Sequence, residues 1–339
     1  MYKSLPGDYC ESVIPDPIPN SEVSLSAPMV LCLKTWKSRT LPGISIMKNF
    51  IVVTGGAGFV GSNLIEFFFN KTSYKIISLD NYSTGTKKNH ITHKRVKYLN
   101  GDTKDIIKIL DKYKKYIKCI FHFGEFSRIF QSFQKFDQCF QSNSIGSNAV
   151  FKFCLDNNIK LIYSATSASL GNRGNDKNLS PYAFSKSKNL ELLENLKKWF
   201  NFKFEIIFFY NVYGPRQIKV GEMATVIGIF EDQYLNKKSL TVVKPGTQTR
   251  RFTHINDTVK VCYEAFKKNK CRYYSISSKK SYSVLEVAKM FKSKIILLKP
   301  RLGERYASAL SQISSNNKII HKFGKLQLKD YISSVINSH

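Results

Sequence analysis

Gly55-Gly-Ala-Gly58-Phe-Val-Gly61 follows directly on the apolar run Phe50-Ile-Val-Val-Thr54 and leads into Ser-Asn-Leu-Ile-Glu-Phe-Phe-Phe69. That order leaves the chain little choice of local structure. A short β-branched run forms a buried strand, glycines at three-residue spacing form a tight turn, and the apolar stretch behind them forms a helix lying close on the strand. A turn of this kind suits a dinucleotide. Gly55 permits the bend, Gly58 lets backbone approach a pyrophosphate, and Gly61 lets helix pack on strand, while the helix start offers free N–H groups and a positive dipole end. Asp80 closes the next apolar run, nineteen residues after Gly61. A carboxylate there accepts hydrogen bonds from the ribose hydroxyls of NAD and repels the 2′-phosphate of NADP, so NAD is the expected cofactor. The competing explanation of Asp80 is a polar residue that merely ends a strand.

From Met47 onward, short apolar runs alternate with longer mixed ones, which predicts strands near 49–54, 75–80, 96–99, 118–123, 160–165 and 204–210 with helices between them. The runs lack polar alternation, as parallel strands covered on both faces do. The expected fold is therefore α/β, a Rossmann-type doubly wound parallel sheet. Beyond Pro215 the alternation loosens, and Ser239–Val243 and Lys294–Leu298 read as pieces of a smaller C-terminal α/β substrate lobe. The expected division is an N-terminal extension over 1–46, an NAD-binding domain over 47–213 with return elements near 250–270, and a mainly substrate-binding lobe over 214–339. Six of the ten prolines fall within the first 46 residues, so that extension is a poor folding unit and Met47 is a candidate start.

Composition removes several function classes. The formal charge of +29 comes from lysines spread over most segments, with no basic stripe and no nucleic-acid reader motif, so no nucleic-acid partner is expected. The same field still attracts an anionic substrate. Seven cysteines without a Cys-x-x-Cys pair suggest neither a disulfide scaffold nor a metal site, and point to a reducing compartment, the cytoplasm. No apolar run reaches the ~18 residues of a membrane span.

Tyr182 and Lys186 stand four apart in Ser180-Pro-Tyr-Ala-Phe-Ser-Lys186. On a helix they share a face, so the ammonium can lie beside the phenol and lower its pKa, giving a base for alcohol oxidation beside a nicotinamide. The spacing alone is also that of any amphipathic helix. Asp102, in Asn-Gly-Asp-Thr, follows another predicted strand, where a carboxylate can meet an adenine amino group or simply cap a turn.

These features occur in the same order as His122-Phe-Gly, Asn143-Ser-Ile-Gly146, Tyr163-Ser-Ala-Thr166, Tyr210-Asn211-Val-Tyr-Gly-Pro-Arg216, Thr249-Arg250-Arg251 and Pro300-Arg301-Leu-Gly-Glu304. Together they make residues 47–339 resemble the extended short-chain dehydrogenase/reductase family, in its NAD-dependent sugar-nucleotide epimerase/dehydratase branch and nearest its UDP-glucose 4-epimerase-like members. The resemblance implies a catalytic set of Thr166, Tyr182 and Lys186. It implies cofactor contacts from Gly55, Gly58, Phe59, Val60, Gly61, Asp80, Asn81, Asp102, Thr103, Phe123, Gly124, Asn143, Tyr182, Lys186 and Tyr210. Substrate contacts would come from Glu125, Thr166, Asn211, Arg250 and Arg301, the arginines suiting a diphosphate. A homodimer paired through a helix bundle that includes the Tyr182 helix is also implied.

The activity the resemblance implies is reversible oxidation at C4 of a nucleotide-diphosphate sugar, with UDP-glucose and UDP-galactose the first candidates. Ser167 and Ala168 follow Thr166 where dehydratases of the family carry acids, which lowers a 4,6-dehydratase. A uronate 4-epimerase or decarboxylase, a 4-keto-sugar reductase, and a non-catalytic member that senses nucleotides or is recruited to RNA stay open. Three residues depart from the family pattern. Phe208 replaces a common arginine, Gly228 a common proline, and Glu125 stands where small or amide residues are usual. Glu125 either reaches nicotinamide or sugar, or pairs with Arg128 three residues on.

Overall fold

The computed structural model describes residues 48–169, 177–278, 280–300 and 324–338. The N-terminal extension and Arg301 lie outside the described residues. The chain enters through β1 (Phe50–Thr54), α1 (Phe59–Lys71), β2 (Lys75–Asp80) and β3 (Val96–Asn100). It crosses over through α2 (Ile106–Leu110) to β4 (Ile117–His122), then α3 (Ile129–Gln134), α4 (Phe136–Phe140) and a wide turn over Gln141–Gly146 into α5 (Ser147–Asp156). There follow β5 (Lys160–Thr166), the long α6 (Pro181–Phe200) and β6 (Phe204–Phe209). The six expected strands are all present within a residue or two.

Among the described residues the main sheet has seven strands. Its seventh member is Tyr273–Ile276, which pairs parallel with β6, Tyr273 opposite Ile206. The sequence did not announce it, because Tyr-Tyr-Ser-Ile is short and half polar. Alternate residues of each strand serve opposite faces. Val52, Ile77, Ile120, Leu161 and Tyr163 face α5 and α6, burying Val150, Phe153 and Leu193. Ile51, Val53, Ile76, Phe121 and Ile162 face α1 and the later helix Ile255–Lys267, burying Leu64, Phe68, Val259 and Cys262. Each fully buried aliphatic side chain contributes about 1.5–3 kcal/mol, and this two-sided burial explains why the strands read as unbroken apolar runs.

Apart from the helix Ile255–Lys267, the elements between β6 and the seventh strand, with those after it, form a further core cluster around Tyr213, Phe230, Leu240, Phe252, Tyr282 and Phe291. The runs expected there are strands, Leu240–Val243 and Ile295–Leu298, paired parallel with each other. No helix among the described residues is long and apolar enough to cross a membrane.

The order from β3 through β2, β1, β4, β5 and β6 to the seventh strand reverses direction between β1 and β4. The crevice beyond the carboxyl ends of strands at such a switch point is where a doubly wound sheet receives a ligand. The glycine turn leaves β1 there, and residues 123–128 leave β4 there.

Candidate active site

Gly55 adopts φ +69°, and a Cβ on it would stand 2.8 Å from the Phe123 carbonyl oxygen. Gly61 is tighter still, since its Cβ would meet the Gly55 carbonyl oxygen at 2.2 Å. At Gly58 an added Cβ would touch only that same oxygen, at 3.2 Å, so its remaining side is open. No side chain caps the first turn of α1, where Phe59, Val60 and Gly61 begin the helix. This is a cradle that side chains would fill, and it fits the pyrophosphate of a dinucleotide.

Asp80 is 7% exposed and lies beside this turn. One carboxylate oxygen accepts from the Ala57 N–H at 2.9 Å and the other from the Tyr82 N–H at 2.8 Å, and each keeps a lone pair for a ribose hydroxyl. Asn81 donates to Asp102 at 3.2 Å, and Asp102 also caps the short turn Thr103–Asp105 through the Lys104 N–H. Asp102 is thus a turn aspartate that remains beside the crevice. Thr103 is buried against Gly146 and Gly124, and Phe123 packs edge-on to Phe209. Asn143 and Tyr210 are turned into the protein. The Asn143 amide holds both the N–H and the carbonyl of Phe126, at 2.7 and 3.0 Å, and Tyr210 sits in the core with Ser275 donating to its hydroxyl at 2.8 Å.

Helix α6 begins as its sequence dictates. Ser180 accepts from the Ala183 N–H at 3.1 Å, and Pro181 occupies the first helical turn, where its missing N–H costs nothing. One turn in, Tyr182 and Lys186 are both buried, at 9% and 3% exposure. Thr166, at the end of β5, brings its hydroxyl near enough to the Tyr182 phenol to lower its pKa, and receives the Ala168 N–H at 3.1 Å. The three expected catalytic residues therefore converge at the carboxyl edge of the sheet.

The expected effect of Lys186 on the phenol is corrected by the structure. Burial pushes Tyr182 up to about 12; the Thr166 hydroxyl pulls it back, Glu125 pushes it further up, Arg128 pulls it down, and Cys139 pushes it up. Lys186 points elsewhere. Its ammonium donates to the Glu125 carboxylate and to the Ser164 carbonyl, and it lies 4.3 Å from the centre of the Tyr163 ring.

Glu125, expected either to reach the ligand or to pair with Arg128, turns inward instead, its side chain 3% exposed. Beyond Lys186 it accepts from Ser147 at 2.8 Å, Tyr163 at 2.9 Å and Asn189 at 3.3 Å. Arg128 donates to the Met223 carbonyl and to Ser127. It stands near enough to Tyr182 to favour the phenolate.

The network continues inward to His122, at the end of β4. Thr54 Oγ1 already receives the N–H groups of Phe123 and Gly124, so its own proton goes to His122 Nδ1 at 2.8 Å. That leaves the proton of His122 on Nε2, which donates to Ser147 at 3.0 Å. Burial holds this histidine neutral, its pKa down at about 4. Sequence reasoning missed Ser147, Asn189 and Thr54. The available signal was Asn189 three residues after Lys186, on the same face of α6.

On the substrate side, Asn211 has φ +33° and donates to the Arg251 carbonyl at 2.8 Å. Arg250 lies half-buried in the strand Thr249–Arg251, opposite Tyr282. Among the described residues no group of three or more His, Cys, Asp or Glu could hold a metal ion.

Comparison with known proteins agrees with this architecture. The chain is 29% identical over 309 residues to a putative UDP-glucose 4-epimerase of Methanocaldococcus jannaschii, covering 85% of this chain and 97% of that one. Its fold is similar to the crystal structure of Thermotoga maritima UDP-glucose 4-epimerase with UDP-glucose (TM-score 0.76, 22% identity, 85% of this chain and 97% of that one). It is similar also to Bacillus cereus UDP-glucuronic acid 4-epimerase in complex with UDP-glucuronic acid and NAD (TM-score 0.75, 23% identity, 85% and 98%). The model of the NAD dependent epimerase/dehydratase family matches residues 51–277, more than half of the chain. The chain belongs to that family and is an NAD-dependent enzyme of it.

Proposed function

We propose that the protein is a 4-epimerase of nucleotide-diphosphate hexoses, with UDP-glucose and UDP-galactose as its substrate pair. The observation that carries this is the meeting of the Thr166 and Tyr182 hydroxyls at the crevice, with Ser167 and Ala168 following Thr166. A hydroxyl pair serves oxidation of an alcohol, and no carboxylate stands at those two positions to assist elimination. The names of the Methanocaldococcus and Thermotoga proteins support the same substrate pair.

In this proposal Gly55, Gly58 and Gly61 receive the pyrophosphate and Asp80 the ribose. NAD held there would supply reversible hydride acceptance for C4 of the sugar. Tyr182 takes the proton of the C4 hydroxyl, and Thr166 holds that oxygen against the phenol. Asn211, Arg250 and Arg301 hold the diphosphate. The exposed apolar side chains Phe136, Ile145 and Phe184, on α4, the turn after it and α6, supply the surface on which a second copy pairs.

Incubation of the purified protein with UDP-galactose and separation of the products tests the assignment. UDP-glucose should form with no net change in NAD, and its absence would sink this substrate pair.

One observation favours a second substrate. Arg128 lies beside Tyr182, and among the described residues its guanidinium meets a carbonyl and Ser127 but forms no ion pair with a carboxylate. A partly buried guanidinium there would welcome a uronate carboxyl. Faster turnover of UDP-glucuronate than of UDP-galactose would move the assignment to a uronate 4-epimerase.

A further inference from the structure

We propose that Glu125 is a positioning residue for this reaction: its buried carboxylate draws the Lys186 ammonium away from Tyr182 and so governs how readily that phenol gives up its proton. The proposal rests on the epimerase assignment for its chemistry and on the geometry of the site for its substance.

Every side-chain hydrogen bond at Glu125 runs into the carboxylate. Ser147, Tyr163 and Asn189 all reach Oε1, and the ammonium of Lys186 takes Oε2. All four partners are donors, and the carboxylate supplies the acceptors they need. Ser147 is itself held by His122, and Asn189 by the Asn143 carbonyl at 2.6 Å, so the carboxylate cannot swing away without breaking contacts on α5, β5 and α6.

Lys186 is saturated from the other side. Its three N–H directions are met by Glu125, by the Ser164 carbonyl and by the face of Tyr163. No donor remains for the phenol four residues earlier on the same helix. The groups that do face Tyr182 are Thr166 and Tyr163 from β5, Cys139 from α4, and Glu125 and Arg128 from the segment after β4. Those that face Lys186 are Glu125, Cys139, Tyr163, the Ser164 carbonyl and His122 from β4.

Replacing Glu125 by Gln has two consequences that act in one direction. It removes a negative charge that opposes the phenolate, and it releases the ammonium that can stabilise it. A charge close to a titrating group moves its pKa by roughly 1–3.

The test is an ultraviolet difference titration of NAD-loaded protein. Subtracting the Tyr182→Phe curve from its parent isolates the Tyr182 phenol, first in the wild type and then in Glu125→Gln. The phenol should titrate at least about one unit lower in Glu125→Gln. Glu125→Asp, which keeps the charge, should return it most of the way to the wild-type position. An unmoved phenol in Glu125→Gln, or Glu125→Asp titrating with Glu125→Gln, would overturn the proposal. A merely structural role predicts lost stability without this charge-dependent order.

Where Glu125→Gln fails to fold, the neutral pair Glu125→Gln/Lys186→Met should recover the Tm, because no buried charge is left unpaired. Failure of that double variant to recover overturns the ion pair as the organising contact. The titration needs no sugar nucleotide. If no UDP-hexose is turned over while the phenol still shifts, the epimerase assignment falls and the role of Glu125 over Lys186 and Tyr182 stands.

Discussion

Acid should loosen this fold through one side chain. His122 is completely buried, accepts from Thr54 and donates to Ser147, and its pKa lies at about 4 instead of the usual 6.5. The unfolded chain therefore binds a proton at this residue between pH 6.5 and pH 4 that the native chain refuses. With more protons bound in the unfolded state, stability rises with pH through that window and is lost as pH falls through it. A pKa of about 4 against 6.5 corresponds to roughly 3 kcal/mol, most of which is gone by about pH 4.5. For a chain of this size that is a fall in Tm of about 5 °C or more. Other titrating groups also contribute, so the measurement is a difference. Urea unfolding at pH 7 and pH 4.5 is compared between the wild type and His122→Gln, whose amide can accept from Thr54 and donate to Ser147. The variant should be less stable at pH 7 but should lose about 2–3 kcal/mol less on acidification. Parallel pH dependence in the two proteins would refute the assignment of a neutral, buried His122 as the acid-sensitive element.

Tyr182→Phe should lower turnover by roughly 10²–10⁴-fold while NAD stays bound, measured by product formation and by nucleotide released on denaturation. Asp80→Asn keeps the shape but removes the charge, and should weaken NAD by about tenfold while narrowing the preference over NADP, read by titration calorimetry with both nucleotides. Gly61→Ala must push the Gly55 carbonyl away from the 2.2 Å position of its new methyl, and should cost about 1–3 kcal/mol in urea unfolding as well as NAD affinity. The pairing proposed above predicts that wild type sediments as a dimer and Phe136→Glu with Phe184→Glu as a monomer in sedimentation velocity, and equal sedimentation coefficients would remove that face as the pairing surface.

What could be read from the sequence was local. The glycine turn, the shared helix face of Tyr182 and Lys186, and the six apolar strands are each written in a few consecutive residues, and the backbone follows them. Asp80 and Thr166 could be placed because strand ends project into the same crevice whatever the loops do. The partner of Glu125 could not. Arg128, three residues on, was the nearest cation by chain distance, whereas Lys186 is 61 residues away and comes near only because α6 packs against the segment leaving β4. For the same reason the pattern Tyr182-x-x-x-Lys186 gave the shared helix face but not the direction of the ammonium, which its tertiary neighbours decide.

That direction changes how the positive charge near the phenol must be counted. Lys186 and Glu125 cancel one another inside the protein, and His122 is neutral, so neither brings net charge to the crevice. The guanidinium of Arg128 and the hydroxyl of Thr166 are what this chain itself offers to a phenolate at Tyr182. A phenol near 12 is almost wholly protonated at neutral pH, so proton removal here must be coupled to arrival of positive charge in the crevice or to reorientation of Lys186. The nicotinamide ring of the oxidised cofactor carries such a charge and the reduced ring does not. If Tyr182 is the base proposed above, an oxidised nicotinamide held in the crevice would make its phenol more acidic than a reduced one would. Titrating Tyr182 by ultraviolet difference with NAD and then with NADH bound checks this, an equal pKa in the two refuting it.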